Sequence, residues 1–290
     1  MTITLYPDQA RLVAEVRGAM RRHKSVLMQS ATGSGKTVMA ADIISRARER
    51  NSRTIFLVPR KELLRQTAET LRGFNIPFGF IAAGMPAHPF HHVQLSMAPT
   101  LARRIGKVTP PRLLIVDECH YGGADLARII AWARDAGAWV VGLTATPTKT
   151  SGQGMGDWYD HLCLGPSVAE LIEAERLSRY RLFAPSRPDM TGVRTTAGEY
   201  NRADLSARME GDSVLIGDAV KHYRDHAIGR LNVAFCTSVR HAEITAQTFR
   251  DGGVPAASID GSMSDQERAT IIRAFARREI LALCSCDLLT

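Results

Sequence analysis

The sequence predicts an α/β protein with two parallel β-sheets, each covered by helices on both faces. Short apolar runs typical of buried strands alternate along the 290 residues with longer segments of helical periodicity. In the first half, the strand-like runs are residues 26–28, 54–58, 113–116 and 139–143. Helical segments such as residues 61–72 and 125–136 lie between these runs, and this alternation is typical of βαβ units.

A second βαβ series follows a change in composition. Residues 148–156 are rich in Gly, Ser and Thr and predict a loop, and residues 186–204 have little apolar periodicity. The predicted elements after them are helix 213–224, strand 232–236, helix 239–251, strand 256–259, helix 265–277 and strand 280–284. We therefore predict a first lobe over residues 1–185, a linker over residues 186–204 and a second lobe over residues 205–290.

A glycine-containing segment, Ala-Thr-Gly-Ser-Gly-Lys-Thr at residues 31–37, lies between the first predicted strand and a helix. Glycines let the backbone curl so that several N–H groups point at one phosphate chain, and the helix adds its positive amino-terminal dipole. The lysine is then expected at the β- and γ-phosphates and the final threonine hydroxyl at Mg²⁺. The predicted triphosphate-binding residues are Thr32, Gly33, Ser34, Gly35, Lys36 and Thr37. The pattern departs at its first position, where Ser30 replaces glycine.

Two carboxylates, Asp117 and Glu118, follow the apolar run 113–116. They should emerge at the carboxyl end of a parallel strand, where open α/β sheets bind ligands. Alone, such a pair would more often begin a solvated helix, but the glycine-lysine segment upstream reverses that expectation. We expect Asp117 to hold Mg²⁺ together with Thr37, and Glu118 to orient a water that attacks the γ-phosphate. Lys36, Asp117 and Glu118 are the predicted catalytic residues.

These segments resemble, in order, the motifs of superfamily 2 helicases, the DEAD/DEAH-box class, in a variant that reads Asp-Glu-Cys-His. Further segments similar to that class are residues 5–9, 58–66, 142–147, 233–238 and 260–264. Residues 165–172 are similar to the branch that contains DNA-repair helicases and restriction-type translocases. The resemblance implies two RecA-like lobes of the P-loop NTPase type, with ATP and Mg²⁺ as cofactors.

The resemblance also implies roles for individual residues. Tyr6 and Gln9 would contact adenine, and His120, Thr144 and Thr146 would couple the ATP site to a nucleic-acid groove. The implied nucleic-acid contacts are Pro59, Arg60, Lys61, Thr100, Arg103, Ser238 and Arg240. For Arg60, Lys61 and Arg103, a solvated basic surface is the alternative. The implied activity is that of an ATP-dependent helicase or translocase, acting on DNA rather than RNA.

The sequence departs from that class near residue 290. Residues 287–290 are similar to the opening of motif V, and no Gln-x-x-Gly-Arg-x-x-Arg pattern of motif VI occurs. We therefore expect an incomplete second lobe and impaired hydrolysis, because an arginine supplied to the transition state contributes roughly 10³–10⁵ in rate. One alternative is a module that binds ATP and nucleic acid without hydrolysis. Another is a phosphate-loop ATPase that acts on protein partners.

Composition restricts the class of partner and the compartment. The formal net charge of +8 favours an anionic partner such as nucleic acid. Five cysteines without zinc-finger spacing indicate a reducing compartment. No apolar stretch approaches the roughly 20 residues of a membrane span, and no signal peptide is recognisable. We expect a cytoplasmic protein without a membrane partner, and the composition leaves the oligomeric state open.

Overall fold

The computed structural model of the protein describes residues 3–85, 87–149, 151–183, 189–196, 199–210 and 213–286. It divides the chain into two compact units, Met1–Tyr180 and Arg181–Thr290. Parts of the predicted linker and the predicted motif V opening at residues 287–290 lie outside the described residues. The domain limits drawn from the sequence stay a prediction.

The first unit is built on a seven-stranded parallel sheet with strand order β3-β4-β2-β5-β6-β1-β7. The strands are β1 Ser25–Gln29, β2 Thr54–Val58, β3 Phe78–Ile81, β4 Val93–Met97, β5 Leu113–Val116, β6 Trp139–Thr144 and β7 His161–Leu164. The helices are α1 Pro7–Ala19, α2 Lys36–Glu49, α3 Lys61–Gly73, α4 Ala98–Arg104, α5 Ala124–Asp135 and α6 Val168–Glu173, with a 3₁₀ turn at Cys119–Tyr121. The predicted α/β class is confirmed.

Side-chain alternation along the central strands explains why helices cover both faces of this sheet. Phe56 and Ile115 point to a cluster formed with α1, α2 and α3. Their neighbours Ile55 and Leu114 point to a second cluster formed with α4 and α5. Because β2 and β5 are buried along their whole length, they read as continuous apolar runs and were predictable.

Three strands of the first unit have no clear sequence signal. Strand β4 includes the buried polar residues Gln94 and Ser96, which interrupt its apolar pattern. Strands β3 and β7 are the outermost strands of the sheet and are only partly buried. Their place in the sheet is set by the neighbouring strands and not by an apolar run of their own.

The second unit holds a parallel sheet with strand order β10-β12-β11 and a short antiparallel pair, β8 and β9. Its elements are β8 Thr195–Thr196, β9 Glu199–Tyr200, α7 Arg202–Glu210, α8 Ser213–His226, β10 Asn232–Cys236, α9 Val239–Asp251, β11 Ala256–Ile259, α10 Asp265–Ala276 and β12 Ala282–Cys286. The last strand was predicted at residues 280–284 but spans Ala282–Cys286. The apolar run begins at residue 280, whereas pairing with β10 begins only at Ala282, opposite Asn232. Among helices of the described residues, none is long and apolar enough to cross a membrane.

Candidate active site

The loop between β1 and α2 has the curled backbone that the sequence predicts. Gly33 and Gly35 have φ angles of +80° and +84°, in the left-handed region that favours glycine. Ser30, at the position where the pattern has glycine, is buried, and its hydroxyl donates to Ser34 Oγ over 2.7 Å. Its backbone N–H donates to the Thr144 carbonyl over 2.9 Å. A serine fits here because both its hydroxyl and its amide have partners inside the protein.

The ammonium of Lys36 lies in a nearly closed environment at the start of α2. The residue is 8% exposed, and Nζ donates to the Ser30 carbonyl over 3.3 Å. The nearest carboxylate oxygen, Glu118 Oε1, lies 3.8 Å from Nζ, which is too long for a hydrogen bond. The helix begins after Gly35 and has no side-chain cap on its first amides. A buried cation beside an uncapped helix amino terminus fits a polyphosphate.

Asp117 and Glu118 form a sharp turn at the end of β5. The Asp117 N–H donates to the Leu57 carbonyl over 2.8 Å, and its Oδ1 accepts from the Glu118 N–H over 3.0 Å. Glu118 has a φ of +45°, a strained value for a residue with a side chain. Burial, with the charge of Glu118 as a second cause, raises the pKa of Asp117 to about 6. A divalent cation would supply the positive charge that this buried carboxylate needs, so the donor set fits Mg²⁺.

His120 joins the end of β5 to the end of β6. Its Nδ1 lies 3.0 Å from Thr144 Oγ1 and 3.3 Å from Glu118 Oε2. Burial lowers the pKa of His120, so the contact with Glu118 involves a neutral ring at pH 7 and is not a full ion pair. Thr144 Oγ1 also donates to the Thr146 carbonyl over 2.7 Å and accepts from the Thr146 N–H over 3.0 Å. The three predicted coupling residues therefore form one connected chain of contacts with Glu118.

Gln9 lies against the glycine loop, and Tyr6 contacts Gln9. Gln9 Nε2 donates to the Ser34 carbonyl over 2.7 Å, and its Oε1 accepts from the Tyr6 N–H over 3.1 Å. A Cβ on Gly35 would approach Gln9 Nε2 to 2.5 Å, so a larger residue here would displace the buried Gln9 amide from its hydrogen bonds. These contacts link the amino-terminal segment directly to the loop.

One residue of this neighbourhood was missed by sequence reasoning. The Arg176 guanidinium carbon lies 3.1 Å from the Tyr6 ring centroid, and its Nη1 lies 3.0 Å from Asp8 Oδ1. The adjacent Leu177 side chain reaches the loop, where a Cβ on Gly33 would lie 2.9 Å from it. No motif surrounds Arg176 in the sequence, because its position depends on how the chain after α6 packs against α1.

The predicted nucleic-acid contacts of the first unit lie on two helices and the turn before one of them. Arg60 immediately precedes α3, Lys61 is the first residue of α3, and Arg103 is exposed on α4. Pro59 lines a cavity of 470 Å³ that also includes Asp117, Glu118 and Tyr121. Thr100 is 6% exposed, so its side chain offers little surface to a bound strand.

The second-unit candidates, Ser238 and Arg240, both contact Glu210. Ser238 caps α9 by accepting from the His241 N–H over 2.9 Å, and its hydroxyl donates to Glu210 Oε1 over 2.5 Å. Arg240 Nε lies 3.7 Å from Glu210 Oε2. A phosphate at these side chains has to compete with a carboxylate, which the sequence alone did not indicate.

A parallel sheet with a glycine loop, a buried lysine and an Asp-Glu pair at its carboxyl edge defines a P-loop NTPase with a RecA-like fold. The amino-acid sequence matches the family described as type III restriction enzyme, res subunit, over residues 2–149, and the helicase conserved C-terminal domain over residues 216–290. The chain belongs to this type III restriction enzyme, res subunit family, within the superfamily 2 helicases.

Individual relatives agree with this assignment. The chain is 29% identical to a 51.5 kDa protein of a Lactococcus phage over 91% of its own length and 55% of the phage protein. It is 23% identical to IRC3 of Saccharomyces cerevisiae, whose description as an ATP-dependent helicase is provisional, over 98% of this chain and 44% of that protein. The chain thus spans about half the length of these relatives.

A solved structure supports the fold. A fragment from Vibrio vulnificus, described provisionally as the HsdR subunit of a type I restriction enzyme, superposes with a TM-score of 0.67. The superposition covers 97% of this chain and 54% of that one, at 16% sequence identity. At this identity the likeness concerns the fold alone.

Proposed function

We propose that this chain hydrolyses ATP and uses the energy to move along nucleic acid, as a helicase or translocase. The observation that carries the proposal is the meeting of two distant motifs at one site. Lys36 Nζ lies 3.8 Å from a Glu118 carboxylate oxygen, although 81 residues separate them along the chain. Glu118 has a strained backbone with a φ of +45°, and strain of this kind clusters at functional sites.

The phosphate chain of ATP would bind the α2 amides and Lys36, and adenine would contact Gln9 and Tyr6. Thr37 and Asp117 would hold Mg²⁺, and the ion when bound would neutralise charge on the β- and γ-phosphates. Glu118 would orient the attacking water and polarise it as the water's proton is lost. This chemistry depends mainly on positioning and charge, which buried groups at strand ends provide.

We further propose that loss of the γ-phosphate changes the contacts of His120, Thr144 and Thr146 and thereby the conformation of the loop after β6. Glu118 is the only member of this chain of contacts proposed to touch the attacking water. A change in its position on hydrolysis would alter its 3.3 Å contact with His120 and hence the contact of His120 with Thr144. The remaining links to Thr146 involve its backbone, so the loop itself would respond.

We propose DNA as the nucleic acid along which the protein moves. This preference rests on the restriction-enzyme family, whereas the +8 formal charge favours a nucleic acid of either kind. Pro59, Arg60, Lys61 and Arg103 would contact it from the first unit, with Ser238 and Arg240 from the second and a lesser role for Thr100. Binding to phosphates predicts an affinity that falls log-linearly with salt.

The test is steady-state ATP hydrolysis with duplex DNA, single-stranded DNA and RNA of matched length. We expect DNA to stimulate turnover more than RNA, and Glu118→Gln to stop turnover while retaining ATP binding. Equal stimulation by RNA would contradict the DNA preference. Retention of ATP and DNA without turnover in the unsubstituted chain would favour the non-hydrolysing module instead.

A further inference from the structure

The amino-terminal edge of the first sheet carries a second cavity, at the opposite end of the strands from Lys36 and Asp117. It has a volume of 790 Å³ and lies where α1 and α2 end and where β5 and β6 begin. Pockets that bind small molecules occupy about 300–1,000 Å³. The cavity therefore has the size of a ligand site and shares no lining residue with the site described above.

Five arginines line this cavity: Arg17, Arg21, Arg46, Arg50 and Arg112. Arg46 is paired with Asp42 over 2.8 Å, and Glu49 is a further carboxylate near it. Across the described part of the chain, the other four guanidinium groups have no hydrogen bond or ion pair. A concave surface with several unneutralised guanidinium groups attracts anions, and guanidinium matches phosphate geometry.

Helix dipoles explain only part of this charge. Arg17 and Arg46 lie in the last turns of α1 and α2, where cations offset the negative helix end. Arg21 follows α1, and Arg112 immediately precedes β5. No helix end accounts for a cation at Arg112, so the cluster exceeds what the helices require.

The floor of the cavity is apolar and includes a fixed aromatic ring. Met20, Ile43 and Leu113 contribute apolar surface beneath the arginines. The Trp139 indole N–H donates to the Met20 carbonyl over 3.1 Å, and Lys24 Nζ lies 3.8 Å from the ring centroid. A cationic rim above an apolar floor fits a ligand that combines phosphates with a flat ring.

We propose that this cavity binds a nucleoside polyphosphate, with its phosphates on the arginines and its base against the floor beside Trp139. Inorganic phosphate would leave the apolar floor unused. The site is independent of the ATP site proposed above, because the two lie at opposite ends of the strands.

The test is titration of the Lys36→Ala chain with GTP, followed by calorimetry and tryptophan fluorescence. The Lys36 substitution suppresses binding at the glycine loop and leaves the cavity intact. Arg21→Gln with Arg50→Gln removes two lining charges. Arg22→Gln with Arg48→Gln is the matched control, because it removes equal charge from the same chain segments without touching the cavity.

We expect saturable 1:1 binding that the lining pair weakens about tenfold or more and the control pair less than about twofold. Absence of saturable binding, or equal weakening by both pairs, would overturn the proposal. Tripolyphosphate that binds as tightly as GTP would overturn the placement of a base on the floor. A single-stranded oligonucleotide that displaces GTP at lower nucleotide concentration would show that the cavity is a nucleic-acid contact and not a nucleotide site.

Discussion

The two units share a parallel α/β plan but treat the polar residues at their strand ends differently. In the first unit, the ends of β1 and β5 lead to Lys36 and Asp117, which are buried, and the Lys36 ammonium lies 3.8 Å from a Glu118 carboxylate oxygen, beyond hydrogen-bond distance. In the second unit, the segment after β10 contains Ser238, which caps the following helix. Asp260, after β11, accepts from the Ser262 N–H over 2.7 Å. In the second unit, these polar side chains at strand ends accept hydrogen bonds from N–H groups two or three residues later in the chain.

This difference indicates that the strand ends of the first unit are arranged for a ligand at a cost in folding stability. Local caps and turns stabilise the second unit without needing a ligand. Buried charges and the strained backbone at Glu118 in the first unit cost free energy that a bound triphosphate and cation would return. Four substitutions test this difference between the units.

Lys36→Ala should produce the largest effect. Removing the buried ammonium should lower the turnover of DNA-stimulated ATP hydrolysis by about 10²–10³-fold, comparable to the loss of one preorganised charge contact in other enzymes. Phosphate release at saturating DNA measures this. Lys107→Ala, an exposed lysine of the same unit, is the control and should stay within about twofold of the unsubstituted chain. Equal activity of both variants would show that the buried lysine is not part of the reaction.

Asp117→Asn should stabilise the ligand-free protein above pH 6. The folded-state pKa of about 6 exceeds the ordinary 3.8, so the folded protein binds the proton more tightly than the unfolded chain. The stability from this group is therefore present below about pH 4 and lost as pH rises through 6, up to about 3 kcal/mol. Urea unfolding with a chelator at pH 5 and pH 8 should show a larger gain at pH 8.

Asp135→Asn, on the exposed end of α5, serves as the control for that experiment and should show no comparable pH-dependent gain. A loss of stability in Asp117→Asn at pH 8 would mean that the carboxylate has a charged or hydrogen-bonding partner in the folded state that outweighs its burial.

Gly35→Ala should be more destabilising than Gly253→Ala in the second unit. Both glycines have left-handed φ angles, +84° and +76°. Only at Gly35 would the new Cβ also meet Gln9 Nε2 at 2.5 Å, whereas Gly253 faces open space. We expect a difference of about 1–2 kcal/mol in the free energy of unfolding, measured by circular dichroism in urea. If Gln9→Ala does not restore part of the loss, the collision is not its cause.

Arg176→Ala should give the smallest effect, a rise in the KM for ATP of about three- to tenfold with kcat within twofold. The guanidinium contacts the exposed Tyr6 ring and Asp8, so its loss should release the segment proposed to contact adenine. Arg179→Ala, exposed three residues later, is the control. A fall in KM would mean instead that Arg176 competes with adenine for the ring.

The glycine loop and the Asp-Glu pair were predictable because their functional groups are consecutive in the sequence and lie next to continuous apolar runs. Residues 31–37 follow the end of β1 closely, and residues 113–118 include β5 and the two carboxylates after it. Strand β4 was missed because Gln94 and Ser96 interrupt its pattern, although both are buried in the sheet. Arg176 and Glu210 were missed because their contacts depend on segments distant in sequence.

The sequence alone determined that the chain forms parallel α/β sheets and which residues could bind a triphosphate, because burial periodicity and local backbone requirements act over a few residues. The tertiary structure decided how these groups are charged and partnered. It buried Asp117 enough to raise its pKa, gave Ser238 and Arg240 a competing carboxylate, and gathered five arginines from separate segments around one cavity. The desolvation and charge pairing of a side chain depend on the residues around it in space, and tertiary packing determines which residues these are.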